Sequence, residues 1–213
     1  ETWCQRLLRV APDAYEQLVR CQIAQGKVAE AVAFCKERAA KESSARSAIV
    51  LSSSLSASGA ADSDFQLAEP VIADALAKYG DNLDLLFAIA YQRTVQKRYD
   101  SAASLYEKIL VEKSKHVPTL NNLAAVLAEI PGRSAEALRH VDQAIDIAGS
   151  QPALLDTKAM IVLKSDPRQA VALLQDATST AKPDPRFLFH LALAYQATGQ
   201  TGLARESLQK AEA

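Results

Sequence analysis

Apolar and polar residues alternate along this chain at the spacing of α-helices, and the pattern repeats. Six alanines are separated by intervals of 33 to 37 residues. Mostly apolar residues follow four and seven positions after each alanine, which places the three positions on one face of a helix. The sequence therefore predicts six similar units. The six alanines are Ala31, Ala68, Ala102, Ala137, Ala170 and Ala204.

A second column of mostly small residues lies 11 to 13 positions before these alanines. Large aliphatic residues stand one and four positions before most of its members, which indicates a second helix face. Each unit is thus predicted to contain two amphipathic helices of about 12 to 14 residues. Short polar turns such as 25–27 and 198–202 would join them. The second column is Val19, Ser56, Ala90, Ala124, Ala159 and Ala192.

The two columns predict that the helices cross closely at small side chains. A larger residue at such a crossing would push the two helix axes apart. Pro118, Pro152 and Pro185 fall where first helices would begin, and a missing backbone donor costs little there. Residues 1–11 are interpreted as the end of a preceding helix. The predicted units of one array over 1–213 are 12–45, 46–82, 83–116, 117–151, 152–184 and 185–213.

The last unit resembles the tetratricopeptide repeat family. Its motifs are Leu188-x2-Leu191-Ala192-x2-Tyr195 and, after Gly199, Ala204-x3-Leu208. The likeness extends over about residues 12 to 213, with six units in tandem. It implies an all-α fold: a right-handed α-solenoid superhelix of stacked antiparallel helix hairpins.

The second unit fits this pattern least well. It contains nine serines between Ser43 and Ser63, has Gly59 where a large residue is usual, and places Pro70 inside its second helix. We expect an irregular, bent hairpin with a longer loop near 59–64. The alternative is a disordered linker that divides two arrays. In the fifth unit, Lys158 occupies a position that is usually aliphatic.

Composition and charge narrow the classes of partner. The chain has 24 Lys and Arg against 25 Asp and Glu, a net charge of −1, so no nucleic-acid partner is expected. No apolar run approaches the roughly 18 residues that cross a bilayer, so no membrane insertion is expected. The chain begins without Met, and its first residues read like the end of a helix. We interpret it as a domain of a longer protein whose compartment the sequence leaves open.

The reactive residues are scattered. Three cysteines without a Cys-x2-Cys spacing argue against a disulfide framework and a zinc site, and favour small buried side chains. The three histidines have no second ligand nearby at helical spacing, and the chain has no phosphate-binding loop or hydrolase motif. The sequence therefore predicts neither an enzyme nor a cofactor or metal site.

The family resemblance implies a concave groove that holds an extended or helical segment of a protein partner. Aromatic side chains there would anchor apolar residues, and asparagine amides would bond to a peptide backbone. The alternative for each residue is that it fills a contact between adjacent units. No carboxylate clamp is predicted, because the two asparagines have no matching lysines. The predicted lining is Phe87, Tyr91, Asn121, Asn122, Asp156, Met160, Arg186, Phe189 and His190.

A structural role is the competing hypothesis for function. The chain would then be a spacer or a self-association domain without a peptide ligand, and it would form a homodimer through the apolar ends of the array. Exposure and clustering of Phe87, Tyr91 and Phe189 would favour binding, whereas their burial between units would favour the spacer. A helical-repeat nucleic-acid binder is a third hypothesis, and it would need a basic groove.

Overall fold

The computed structural model describes residues 15–212. It is 79% helical, and the described residues contain no strand, so the predicted all-α class is confirmed. Among the described helices, none combines the length and apolarity needed to cross a bilayer. The predicted helix over 1–11 lies outside the described residues.

Twelve helices make up the described chain, and they fit about six helix pairs, as predicted. Turns of a few residues separate them. The helices are α1 (Tyr15–Ala24), α2 (Val28–Lys41), α3 (Arg46–Ser58), α4 (Asp62–Tyr79), α5 (Leu83–Val95), α6 (Tyr99–Glu112), α7 (Val117–Ala128), α8 (Ser134–Ala148), α9 (Pro152–Val162), α10 (Pro167–Ala177), α11 (Pro185–Ala197) and α12 (Thr201–Glu212).

Local chemistry sets where several helices begin. Pro152 and Pro185 each open a helix, where proline has no intrahelical bond to lose. The side chain of Asp184 accepts a hydrogen bond from the backbone N–H of Arg186 and so caps α11. In the turn between α11 and α12, Gly199 has a φ of 76°, which a residue with a Cβ rarely adopts.

The first compact unit, Glu1–Ile109, has a core built from α1 to α5. Each of these helices packs against its neighbours in sequence, and α1, α2 and α3 also pack against the next helix but one. Both small-residue columns are buried here, including Ala31, Ala68 and Ala90, each with 0% exposure. This confirms that the recurring small residues lie at helix contacts.

The second compact unit, Leu110–Ala213, contains α7 to α12. Its core includes Ala159, Leu174 and Leu191. The hydroxyl of Tyr195 accepts a hydrogen bond of 2.9 Å from Gln175 Nε2, which joins α10 to α11. The phenol thus buries its ring while its polar atom stays satisfied.

The second helix pair corrects the sequence prediction. Gly59 adopts a left-handed φ of 68° and ends α3, and α4 begins at Asp62, so the longer loop predicted near 59–64 is wrong. The carboxylate of Asp64 accepts a 2.9 Å hydrogen bond from the backbone of Ala61 and so starts α4 early. The disordered-linker alternative is also wrong, because both segments are helical. Pro70 lies inside the continuous helix α4.

The cysteines also correct one expectation. Cys21 is disulfide-bonded, although the odd number of cysteines argued against such a bond. An odd total leaves room for one pair, so the count could not exclude it. Cys35 is free and buried, and burial raises the pKa of its thiol to about 12. A thiol with that pKa stays protonated and unreactive at neutral pH. Cys4 lies outside the described residues.

Candidate functional site

A pocket of about 480 Å³ lies in the second unit, between α7, α9 and α11. Its apolar wall comes from two helices and the turn after α9. The small side chains of α7 leave open space, and the longer side chains of α9 border that space. These apolar lining residues are Ala125, Ala128, Met160, Ile161 and Leu163.

An Asp–His pair forms one polar part of the pocket. His190 Nδ1 on α11 donates a hydrogen bond of 2.7 Å to Asp156 Oδ1 on α9. The carboxylate side chain is only 13% exposed, and the imidazole is 27% exposed. The two residues are 34 positions apart, about one repeat length, so they come from corresponding helices of neighbouring repeats.

The remaining polar lining comes largely from the turns. Glu129 follows α7, Ser134 begins α8, and Lys164 and Ser165 follow α9. All four side chains are exposed. They form an exposed polar rim beside the apolar wall.

Two other cations of these helices are paired outside the pocket. Lys158 Nζ on α9 lies 2.7 Å from Asp142 Oδ1 on α8, which explains how a lysine occupies a usually aliphatic position. The guanidinium of Arg186 lies 2.7 Å from Asp184 Oδ2. Hydrogen bonds from the Arg186 side chain lower the pKa of Asp184, so the pair stays charged in mildly acidic solution.

The pocket brings together three of the predicted lining residues, namely Asp156, Met160 and His190. Phe189 lies beside the pocket, 48% exposed, with its ring centroid 6.0 Å from that of His190. Arg186 is exposed and does not line the pocket.

The two predicted asparagines lie on α7 and are both half-buried. Among the described residues, the side-chain oxygen of Asn121 is buried without a hydrogen-bond partner. Neither Asn121 nor Asn122 lines the pocket.

The two predicted residues of the first unit differ in exposure. Tyr91 is 46% exposed. Phe87 is half-buried and packs edge-on against Tyr106, with ring centroids 5.8 Å apart. The Phe87 ring thus contacts a helix of its own predicted unit, 83–116, whereas Tyr91 and Phe189 are exposed.

Sequence reasoning missed most of the pocket wall. Ala125 and Ala128 follow Asn121 at four and seven positions, so helical spacing placed them on the same face. Leu163 and Lys164 follow Asp156 at seven and eight positions and carry the same signal. Within 15–212, no group of three or more histidine, cysteine or acidic side chains could hold a metal ion.

The family model described as "Tetratricopeptide repeat" matches residues 60–118 and 164–213, slightly more than half of the chain. No curated protein is similar enough in sequence to count as a match.

Several solved structures have the same fold. A thermophilic tetratricopeptide repeat protein of Thermus thermophilus has 16% identity and a TM-score of 0.68, over 79% of this chain and 90% of that one. YrrB, described as having an unusual peptide-binding site, has 17% identity and a TM-score of 0.54, over 84% and 90%. The Cut9–Hcn1 hetero-tetramer of the APC/C has 15% identity and a TM-score of 0.65, over 98% and 41%. These likenesses confirm the predicted helical-repeat solenoid class.

Proposed function

The chain belongs to the tetratricopeptide repeat family, and from this premise we propose that it binds a peptide or helical segment of a protein partner. The family fold is that of a protein-interaction scaffold. The observation that carries the finer proposal is the pocket of the second unit, where Asp156, Met160 and His190 converge with the alanines of α7.

The pocket has the properties that a protein segment requires. Its volume of about 480 Å³ lies within the roughly 300–1,000 Å³ typical of ligand pockets. Apolar walls would take up side chains, while the exposed rim would bond to a peptide backbone. The peptide-binding site of YrrB and the complex that contains Cut9 support the same role for this fold.

The wider groove stays a proposal. It would run along one array over 1–213 and include Phe87, Tyr91, Asn121, Asn122, Arg186 and Phe189. We propose a non-catalytic role without a cofactor and no nucleic-acid partner.

A spacer or self-association role is the second candidate, and it is favoured by the limited exposure of Phe87, whose ring packs against Tyr106 of the same predicted unit. Residues that only fill contacts between helices need no ligand. A homodimer through the ends of the array is one form of this role.

A pocket-filling substitution separates the two roles. Ala125 is exposed and lines the pocket, so Ala125→Trp should fill it without disturbing the core. Recovery of partners captured from the native cell should fall about tenfold, because residues that fill central pockets dominate binding energy. Peptide mapping would identify the retained segment.

The matched control is Ala172→Trp, at an exposed alanine of α10 outside the pocket. It should capture as much partner as the unmodified chain. Equal recovery with both variants would reject pocket binding and favour the spacer role.

A further inference from the structure

We infer that the pocket of the second unit selects partner segments in which an arginine or lysine lies next to a leucine, isoleucine or methionine. The inference rests on the proposed peptide-binding function and adds the chemistry of the ligand. It depends on the charges that line the pocket and on the character of its wall.

The pocket lining holds more carboxylates than lysine or arginine side chains. Glu129 and Lys164 have opposite charges at the rim and cancel in the formal count. The carboxylate of Asp156 has no lysine or arginine partner of its own in the lining and is bonded to the imidazole of His190. The pocket therefore attracts a cation.

Lys158 on α9 and Arg186 on α11 are paired with carboxylates other than Asp156. Lys158 is engaged by Asp142 on α8, at 2.7 Å. Arg186 is engaged by Asp184, also at 2.7 Å. Both pairs lie outside the pocket lining. A cation from the partner would supply the positive charge beside Asp156 that these two side chains do not supply.

Asp156 retains capacity to accept hydrogen bonds. Its Oδ1 atom is bonded to His190, and among the described residues no hydrogen bond reaches Oδ2. A carboxylate that is 13% exposed has lost most of its water. A charge-assisted bond from a guanidinium or ammonium group would replace that lost hydration.

The wall sets the neighbouring residue of the ligand. The small side chains of Ala125 and Ala128 leave open space. The flexible side chain of Met160 and the branched side chain of Ile161 line that space. Such a wall favours an aliphatic side chain, whose burial contributes binding free energy in proportion to area. The ligand therefore combines an aliphatic side chain in the pocket with a cation at Asp156.

The test is selection from a phage-displayed library of short random peptides against the full chain. Enriched peptides should carry arginine or lysine beside an aliphatic residue. For a synthetic peptide from this set, replacing arginine by its neutral isostere citrulline should weaken binding about tenfold or more, measured by fluorescence polarisation. This comparison needs no protein variant.

Protein variants then locate the effect. Asp156→Asn should weaken binding of the arginine peptide to the same extent and leave the citrulline peptide unaffected. The control Asp146→Asn, at an exposed aspartate of α8 outside the pocket, should leave both peptides unaffected.

The failures are distinguishable. The charge preference would be overturned if the enriched peptides carried no basic residue, or if citrulline did not weaken their binding. The proposed function would still stand if Ala125→Trp abolished binding of these peptides. A selection that enriches no peptide would overturn both.

Discussion

At the scale of single residues, the first unit contrasts two buried polar side chains that are adjacent in sequence. Arg93 donates to both carboxylate oxygens of Glu69, at 2.9 and 2.5 Å, and to Gln96. Gln92 has 0% exposure, and among the described residues neither of its amide atoms has a hydrogen-bond partner. The hydrogen bonds of Arg93 replace those that it made to water in the unfolded chain, whereas Gln92 makes no such replacement.

We therefore predict that Gln92→Met stabilises the fold. Methionine has nearly the shape of glutamine and removes two unsatisfied polar atoms, so the free energy of unfolding should rise by about 1–3 kcal/mol. Urea unfolding followed by circular dichroism measures it. The control Gln66→Met, at an exposed site of α4, should change little. A lower midpoint for Gln92→Met would contradict the assignment.

Sequence reasoning predicted part of the site, because the repeat period relates equivalent positions. Asp156 and Met160 lie four residues apart on one helix face, and His190 follows one period later. The hydrogen bond between Asp156 and His190 depends on side-chain rotamers and on how two helices pack, which no periodicity encodes. Lys164 follows Asp156 at helical spacing, but it lies in the turn after α9, and the spacing does not show that the pocket extends into that turn.

At the scale of helices, the packing columns were predictable from the sequence. The two continuous helices of the second pair were not. A small residue that recurs every repeat reports a close helix contact, and Ala102, Ala124 and Ala137 are all fully buried. Pro70 is exposed inside α4, although proline in a helix gives up one backbone hydrogen bond and crowds the carbonyl four residues earlier. Apolar packing on the opposite face keeps the helix continuous, and single-residue propensities do not include that packing.

Two adjacent alanines of α7 test the packing column. Ala124 has 0% exposure, whereas Ala125 is exposed. Ala124→Leu should destabilise the chain by about 1–3 kcal/mol through overpacking, and Ala125→Leu should change stability by less than about 0.5 kcal/mol. Thermal unfolding of the two variants measures the difference. Similar melting shifts would mean that the helix register is wrong.

At the scale of the whole chain, buried polar groups are distributed unequally between the two units. α3 buries four serines, and the hydroxyl of Ser54 has no hydrogen-bond partner among the described residues. The buried face of α9 consists of Leu154, Leu155, Ala159 and Val162. In repeat proteins each element contacts mainly its neighbours, so stability is approximately a sum of local contributions. The first unit should therefore open more readily around α3 than the second unit does around α9.

Hydrogen–deuterium exchange measured by mass spectrometry tests this inequality in the unmodified chain. Amides of α3 should exchange at least about tenfold faster than those of α9, because an unsatisfied hydroxyl and small buried side chains lower the local opening free energy. Ser54→Ala removes one unsatisfied hydroxyl, so it should slow exchange in α3 and leave α9 nearly unchanged. Equal protection of the two helices in the unmodified chain would show that stability is shared along the chain rather than determined locally.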